Sequence, residues 1–160
     1  MTKPGAPSIV EELKQTRPFA SKAQEVTVAL LRTTDVVRRR LARVVERDGI
    51  TLQQYNVRRI LRGAGTEPMS ALEVAERLIE ETPGVSRLLD RLVAKGLIQR
   101  DRCSQDRRRL ECTITRRGLE LLARLDKPIL RADSDALHGL TAREIDTLND
   151  LLTRIRHANK

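Results

Sequence analysis

Aromatic side chains are nearly missing. Among 160 residues there is no Trp, one Phe (Phe19) and one Tyr (Tyr55). A core must therefore be assembled from Leu, Ile, Val and Ala, a set that suits packed helices. The same scarcity argues against modules that grip single-stranded nucleic acid by stacking bases on rings, because Phe19 and Tyr55 are too few and too far apart. Cysteine and histidine are equally sparse. Cys103 and Cys112, and His138 and His157, fall in separate parts of the chain without metal-ligand spacing, so neither a metal nor another cofactor is expected. No nucleophile–base pair and no phosphate loop is present, which speaks against an enzyme. No stretch approaches the roughly 18 apolar residues of a membrane span. Met1-Thr2-Lys3-Pro4-Gly5 lacks the apolar run of a signal peptide. The expectation is a cytoplasmic chain with no membrane partner and with reduced thiols.

What is abundant is positive charge. Lys and Arg number 31 against 22 Asp and Glu, a net charge of +9, which points to a polyanionic partner. Hydrophobic residues make up 39%, enough for a core and too many for a disordered chain. The length fits one ordinary domain, or a DNA-binding lobe joined to a dimerisation lobe.

Along the chain, residues 1–20 are rich in Pro, Gly and Ser and read as a mobile arm that docks on a partner subunit. Residues 21–47 read as a long helix with Leu30, Leu31, Thr34, Val37, Leu41, Val44 and Val45 at helical spacing. Thr51-Leu-Gln-Gln54 is a capping-box pattern that opens a helix to about Arg62, stopped by Gly63 and Gly65. Ser70-Ala-Leu-Glu73 is another, opening a short helix that ends near Ile79. A third helix is expected from about Pro83, with Val85, Leu88, Leu89 and Leu92 inward and Gly84, Arg87 and Arg91 outward. The period then changes to alternation over 98–103 and 110–115, which predicts a β-hairpin with a charged tip. From Thr115 a helix carries Leu119, Leu122 and Leu125 on one face, and Pro128 should interrupt or kink it. Thr141-Ala-Arg-Glu144 caps a last helix with Ile145, Leu148, Leu152 and Ile155 as an apolar stripe.

A short helix, a brief turn and a second helix make a helix-turn-helix, whose second member enters the major groove where base edges are legible. Arg87 can reach a guanine edge or a phosphate, and Arg91 follows one turn later. Pro83 and Gly84 stand where a small residue permits close backbone approach and free N–H groups favour phosphate. The hairpin tip, Arg102-Cys-Ser-Gln-Asp-Arg-Arg-Arg109, sets four Arg against one Asp. A charge run is usually only a solvated loop, but on a hairpin directly after a recognition helix it suits the minor groove, which attracts Arg where narrow.

The run from Leu78 through Thr-Pro-Gly-Val-Ser-Arg87 to Leu-Val-Ala-Lys-Gly-Leu-Ile98, then Asp106-Arg-Arg108, then Ile114-Thr-Arg-Arg-Gly118, resembles the MarR signature. Gln54-Tyr-Asn-Val57 resembles that family's second helix, and the resemblance extends over roughly 21–157. It implies a mostly α fold with a small β-hairpin wing, a winged helix-turn-helix with long terminal dimerisation helices. It implies a homodimeric regulator of transcription, with a repressor's response to a small-molecule effector, on a pseudo-palindromic operator in double-stranded DNA. Carried over residue by residue, the recognition helix spans about 82–95, with base-reading and backbone positions on Thr82, Pro83, Gly84, Ser86 and Arg87; Arg91, one turn beyond Arg87, is a DNA-binding candidate by its place on that face. The wing spans 102–109, with the minor-groove arginines on Arg107 or Arg108 and Asp106 as their support, and Arg109 beside them is a further DNA-binding candidate. The recognition helix often carries Ser or Thr where this chain has Gly84.

The resulting division is an arm and dimerisation helix over 1–48, a DNA-binding lobe over 49–118 and dimerisation helices over 119–160. Some members of that family sense peroxide through a Cys in the first helix, and this first helix has none. Cys112 shares the apolar face of its strand and reads as a small core residue, while Cys103 stands beside Arg102.

Overall fold

The computed structural model describes residues 7–81, 83–103 and 110–159. Their elements run α1 (Ile9–Glu12), α2 (Lys22–Glu46), α3 (Leu52–Ala64), β1 (Met69–Ser70), α4 (Ala71–Glu76), α5 (Val85–Ala94), β2 (Ile98–Arg102), β3 (Leu110–Ile114), α6 (Arg116–Ala136) and α7 (Ala142–Ala158). The fold is mostly helical with a small antiparallel sheet in the order β1-β3-β2, as the change of period predicts. Residues 1–40 and 41–160 form two compact units, with α2 running through the boundary.

In the first unit, Ser8 and Glu11 exchange capping bonds and open α1, a turn of helix not anticipated in what was read as an arm. Its Glu12 accepts from Arg32 of α2 at 2.7 Å. Lys14, at φ 51°, turns the chain away after α1.

The second unit is built around a single apolar cluster that draws on every element from the end of α2 to α6. Val45, Val57, Val74, Leu89, Leu92, Cys112 and Leu122 are each 0% exposed. A fully buried Leu or Val contributes about 1.5–3 kcal/mol relative to an exposed one, so these side chains set the mutual placement of α3, α5 and α6. All three capping boxes read from the sequence are formed: Thr51 with Gln54, Ser70 with Glu73 and Thr141 with Glu144.

Five expectations need correction. The third helix starts at Val85, not Pro83, because Gly84 sits in the left-handed region at φ 82° and serves as the N-cap. α4 stops at Glu76, leaving Ile79 exposed. On α6 the buried row is Leu121, Leu122, Leu125, Ile129 and Ala132, whereas Leu119 is exposed. Pro128 lies inside α6 without ending it, since buried Leu125 and Ile129 hold the helix on either side. Gly63 likewise falls within α3, and Gly65 ends it. The strand β1 was not anticipated. It pairs Met69 with Cys112 and Ser70 with Glu111, and two residues are too few to show an alternation.

Candidate nucleic-acid interface

α5 is amphipathic in a way that fixes which side faces out. Leu88, Leu89 and Leu92 are buried, while Ser86, Arg87, Asp90 and Arg91 are exposed. The helix is held along its length. At its start, the Gly84 carbonyl accepts from Arg87 N and Leu88 N, and Gly84, as the N-cap residue, has no side chain to cap the first turn. The helix dipole favours an anion at the N-terminus of α5. A Cβ at Gly84 would approach only the Cδ of Arg87, at 4.0 Å, so the demand for glycine here is the backbone angle and not space.

Midway, Asp90 accepts from the Arg100 guanidinium of β2 at 2.5 Å. This pair links α5 and β2. It was missed from sequence because the partners stand ten residues apart on elements of different period. At the far end, Lys95 Nζ donates to the Gly49 carbonyl, and the Thr115 hydroxyl donates to the Gly96 carbonyl at 2.8 Å. Thr115 also donates its N–H to Leu97 O and caps α6 through Gly118 N. Gly118 packs directly on the Leu97 carbonyl: a Cβ there would lie well inside contact distance of that oxygen and 2.8 Å from Ile114 Cγ1. The Thr and Gly of Ile114-Thr-Arg-Arg-Gly118 therefore weld the end of α5 to the start of α6.

The hairpin that follows α5 pairs Ile98 with Ile114, Arg100 with Cys112 and Arg102 with Leu110. Cys112 is 0% exposed at the centre of the sheet. Burial pushes its thiol up, opposed by the Arg100 guanidinium beside it. Cys103 is also buried and unbridged.

The structure brings Pro83, Gly84, Ser86, Arg87 and Arg91 to one exposed edge and face at α5. Thr82 and the wing residues Asp106, Arg107, Arg108 and Arg109 lie outside the described residues. Among the described residues there is no cluster of three or more His, Cys, Asp or Glu fit for a metal. Among the described residues no helix is long and apolar enough to cross a membrane.

The sequence pattern of the MarR family matches residues 50–110, the segment that contains α3 to the start of β3. A MarR transcription factor from Planctomyces limnophilus is 34% identical, aligns over 85% of this chain and 98% of its own, and superposes with a TM-score of 0.66. The chain belongs to the MarR family. As a MarR-family protein it is a transcription regulator and not an enzyme. The same fold is found in MepR of S. aureus, solved in complex with DNA, at 21% identity, TM-score 0.76 and coverage of 82% of this chain and 96% of that one. It is found again in BpsR of Bordetella bronchiseptica, whose DNA binding is regulated by 6-hydroxynicotinic acid, at 21% identity, TM-score 0.74 and coverage of 82% and 98%.

Proposed function

We infer that this MarR-family regulator binds double-stranded DNA sequence-specifically as a homodimer, in the cytoplasm, and acts as a ligand-responsive repressor. The observation that carries the reading is α5 itself. It is a ten-residue helix anchored midway and at its C-terminal end, with a buried leucine face and an outer face offering Ser86, Arg87 and Arg91. That outer face enters the major groove, where Arg87 donates to a guanine edge and Arg91 reaches backbone. Thr82, Pro83 and Gly84 meet the phosphate at the start of the helix. Arg107, Arg108 and Arg109 lie in the adjacent minor groove, with Asp106 orienting them.

Dimerisation is supported by apolar faces left open in each unit. α7 has no buried residue, and Leu148, Leu151 and Ile155 are exposed on it; α2 exposes Val26, Leu31 and Val36. We assign 1–48 and 119–160 to the dimer and 49–118 to DNA. A two-fold dimer would then set its recognition helices about 34 Å apart on a pseudo-palindrome. The S. aureus relative's DNA complex and the B. bronchiseptica relative's regulation by a small organic acid support the DNA and effector readings.

The test is to map the chain's bound sites across its genome, then compete a recovered duplex against its separate strands and a scrambled duplex. The reading predicts that only the intact, unscrambled duplex displaces the probe at low excess, and that binding weakens steeply with salt. Equal competition by single strands would overturn it.

A further inference from the structure

The exposed side of α5 that offers Ser86, Arg87 and Arg91 also carries an acid. Asp90 is the one carboxylate of that helix, and its side chain is 64% exposed. A free carboxylate at that place repels a polyanion and opposes what the two arginines do.

Asp90 is not free. Its Oδ1 accepts from Arg100 Nη1 at 2.5 Å. Arg100 stands on β2, the edge strand of the sheet, which pairs with β3 alone. The Arg100 side chain is only 16% exposed, and its Nε is buried without a hydrogen-bond partner among the described residues. The guanidinium also hydrogen-bonds the thiol of Cys112, its partner across the ladder. A pair exposed on both sides would contribute little. A cation this far withdrawn from water has lost hydration that solvent does not restore, so it holds its carboxylate firmly. The pair thus fastens an edge strand, laddered on one side only, to the middle of α5.

We propose that Arg100 is a positioning residue for DNA binding: through Asp90 it fixes the β2–β3 hairpin against α5, so that helix and hairpin engage one duplex together. The proposal rests on the DNA-binding reading. Asp90 then raises DNA affinity although its own charge opposes DNA, the reverse of the sign that charge alone dictates.

The experiment compares the full chain with its Asp90→Ala, Arg100→Met and doubly substituted variants. Hydrogen exchange without DNA reads the hairpin. Asp90→Ala keeps α5 helical, because Ala is the best helix former. It should speed exchange of the β2 and β3 amides about 10-fold or more and leave those of α3 unchanged. Fluorescence anisotropy over a salt series on the recovered duplex reads binding. Charge alone predicts that Asp90→Ala binds more tightly than the wild type. Positioning predicts binding about 10-fold weaker. It also predicts a slope of log K against log salt shallower by about 0.9 for each phosphate contact that the hairpin gives up. The double variant has the wild type's net charge and no unpaired buried cation, so it decides the matter should a single variant fail to fold. It should remain about 10-fold weaker than the wild type. Asp90→Ala binding as tightly as the wild type or tighter, or a double variant with wild-type affinity, would overturn the proposal. So would hairpin amides that exchange at the wild-type rate, or a loss of affinity with an unchanged salt slope, which places the defect in α5. Faster hairpin exchange in a chain that binds no duplex under any condition would keep the pair as the hairpin's fastening. It would remove the pair's part in DNA binding together with the DNA reading itself.

Discussion

At Gly118 a hydrogen does what no side chain can. Its Cα lies against the Leu97 carbonyl and the Ile114 side chain, so Gly118→Ala forces α6 away from the end of α5. We expect a loss of about 1–3 kcal/mol, read by urea unfolding, and weaker DNA binding; wild-type stability would contradict the close approach. Cys112 is the second such position. Cys112→Ser buries a hydroxyl at a 0% exposed site and should cost about 1–3 kcal/mol. Because burial holds its thiol protonated, peroxide should leave DNA affinity unchanged. Release by peroxide, abolished in Cys103→Ser, would mark a redox sensor instead. Cys112 was legible because it alternates with polar neighbours on a short strand. Arg58 was not, since a cation on a helix is read as solvated, and only packing reveals that it shares the buried face of Tyr55 and Leu61.

Among the elements, those with side-chain caps were the most legible. A Ser or Thr followed three residues later by Gln or Glu has one local meaning, and Thr51, Ser70 and Thr141 all realise it. The Ser8–Glu11 pair that opens α1 carries the same signal and was overlooked amid Pro and Gly. The start of α5 was less legible, because Pro83 suits a first turn while the angle at Gly84 depends on how the preceding chain arrives. The caps carry a pH consequence. The Thr141 backbone N–H and hydroxyl donate to Glu144 and hold its carboxyl below the ordinary value of 4.5. The folded pKa is the lower one, so the cap's contribution is present above the ordinary value and is lost as pH falls through the folded one. A carboxyl-resolved NMR titration should place the Glu144 midpoint below 4.5; a midpoint at or above it would show that the cap does not form.

At the scale of the whole molecule, the proposed dimer rests most on α7, all of whose apolar residues remain at least partly open. Leu148→Arg should lower the mass seen by light scattering at micromolar concentration and weaken DNA binding in parallel. A monomeric mass for the wild type would remove the dimer altogether. The central claim, that the outer face of α5 reads duplex DNA, is tested most directly by one substitution on two duplexes. Arg87→Ala, measured by fluorescence anisotropy over a salt series, should lose about 1–3 kcal/mol per subunit on the recovered site. It should lose far less on a scrambled duplex and relax the preference at one position in each half-site. Wild-type affinity of Arg87→Ala on the recovered site would contradict the account, because α5 would then not be the reader.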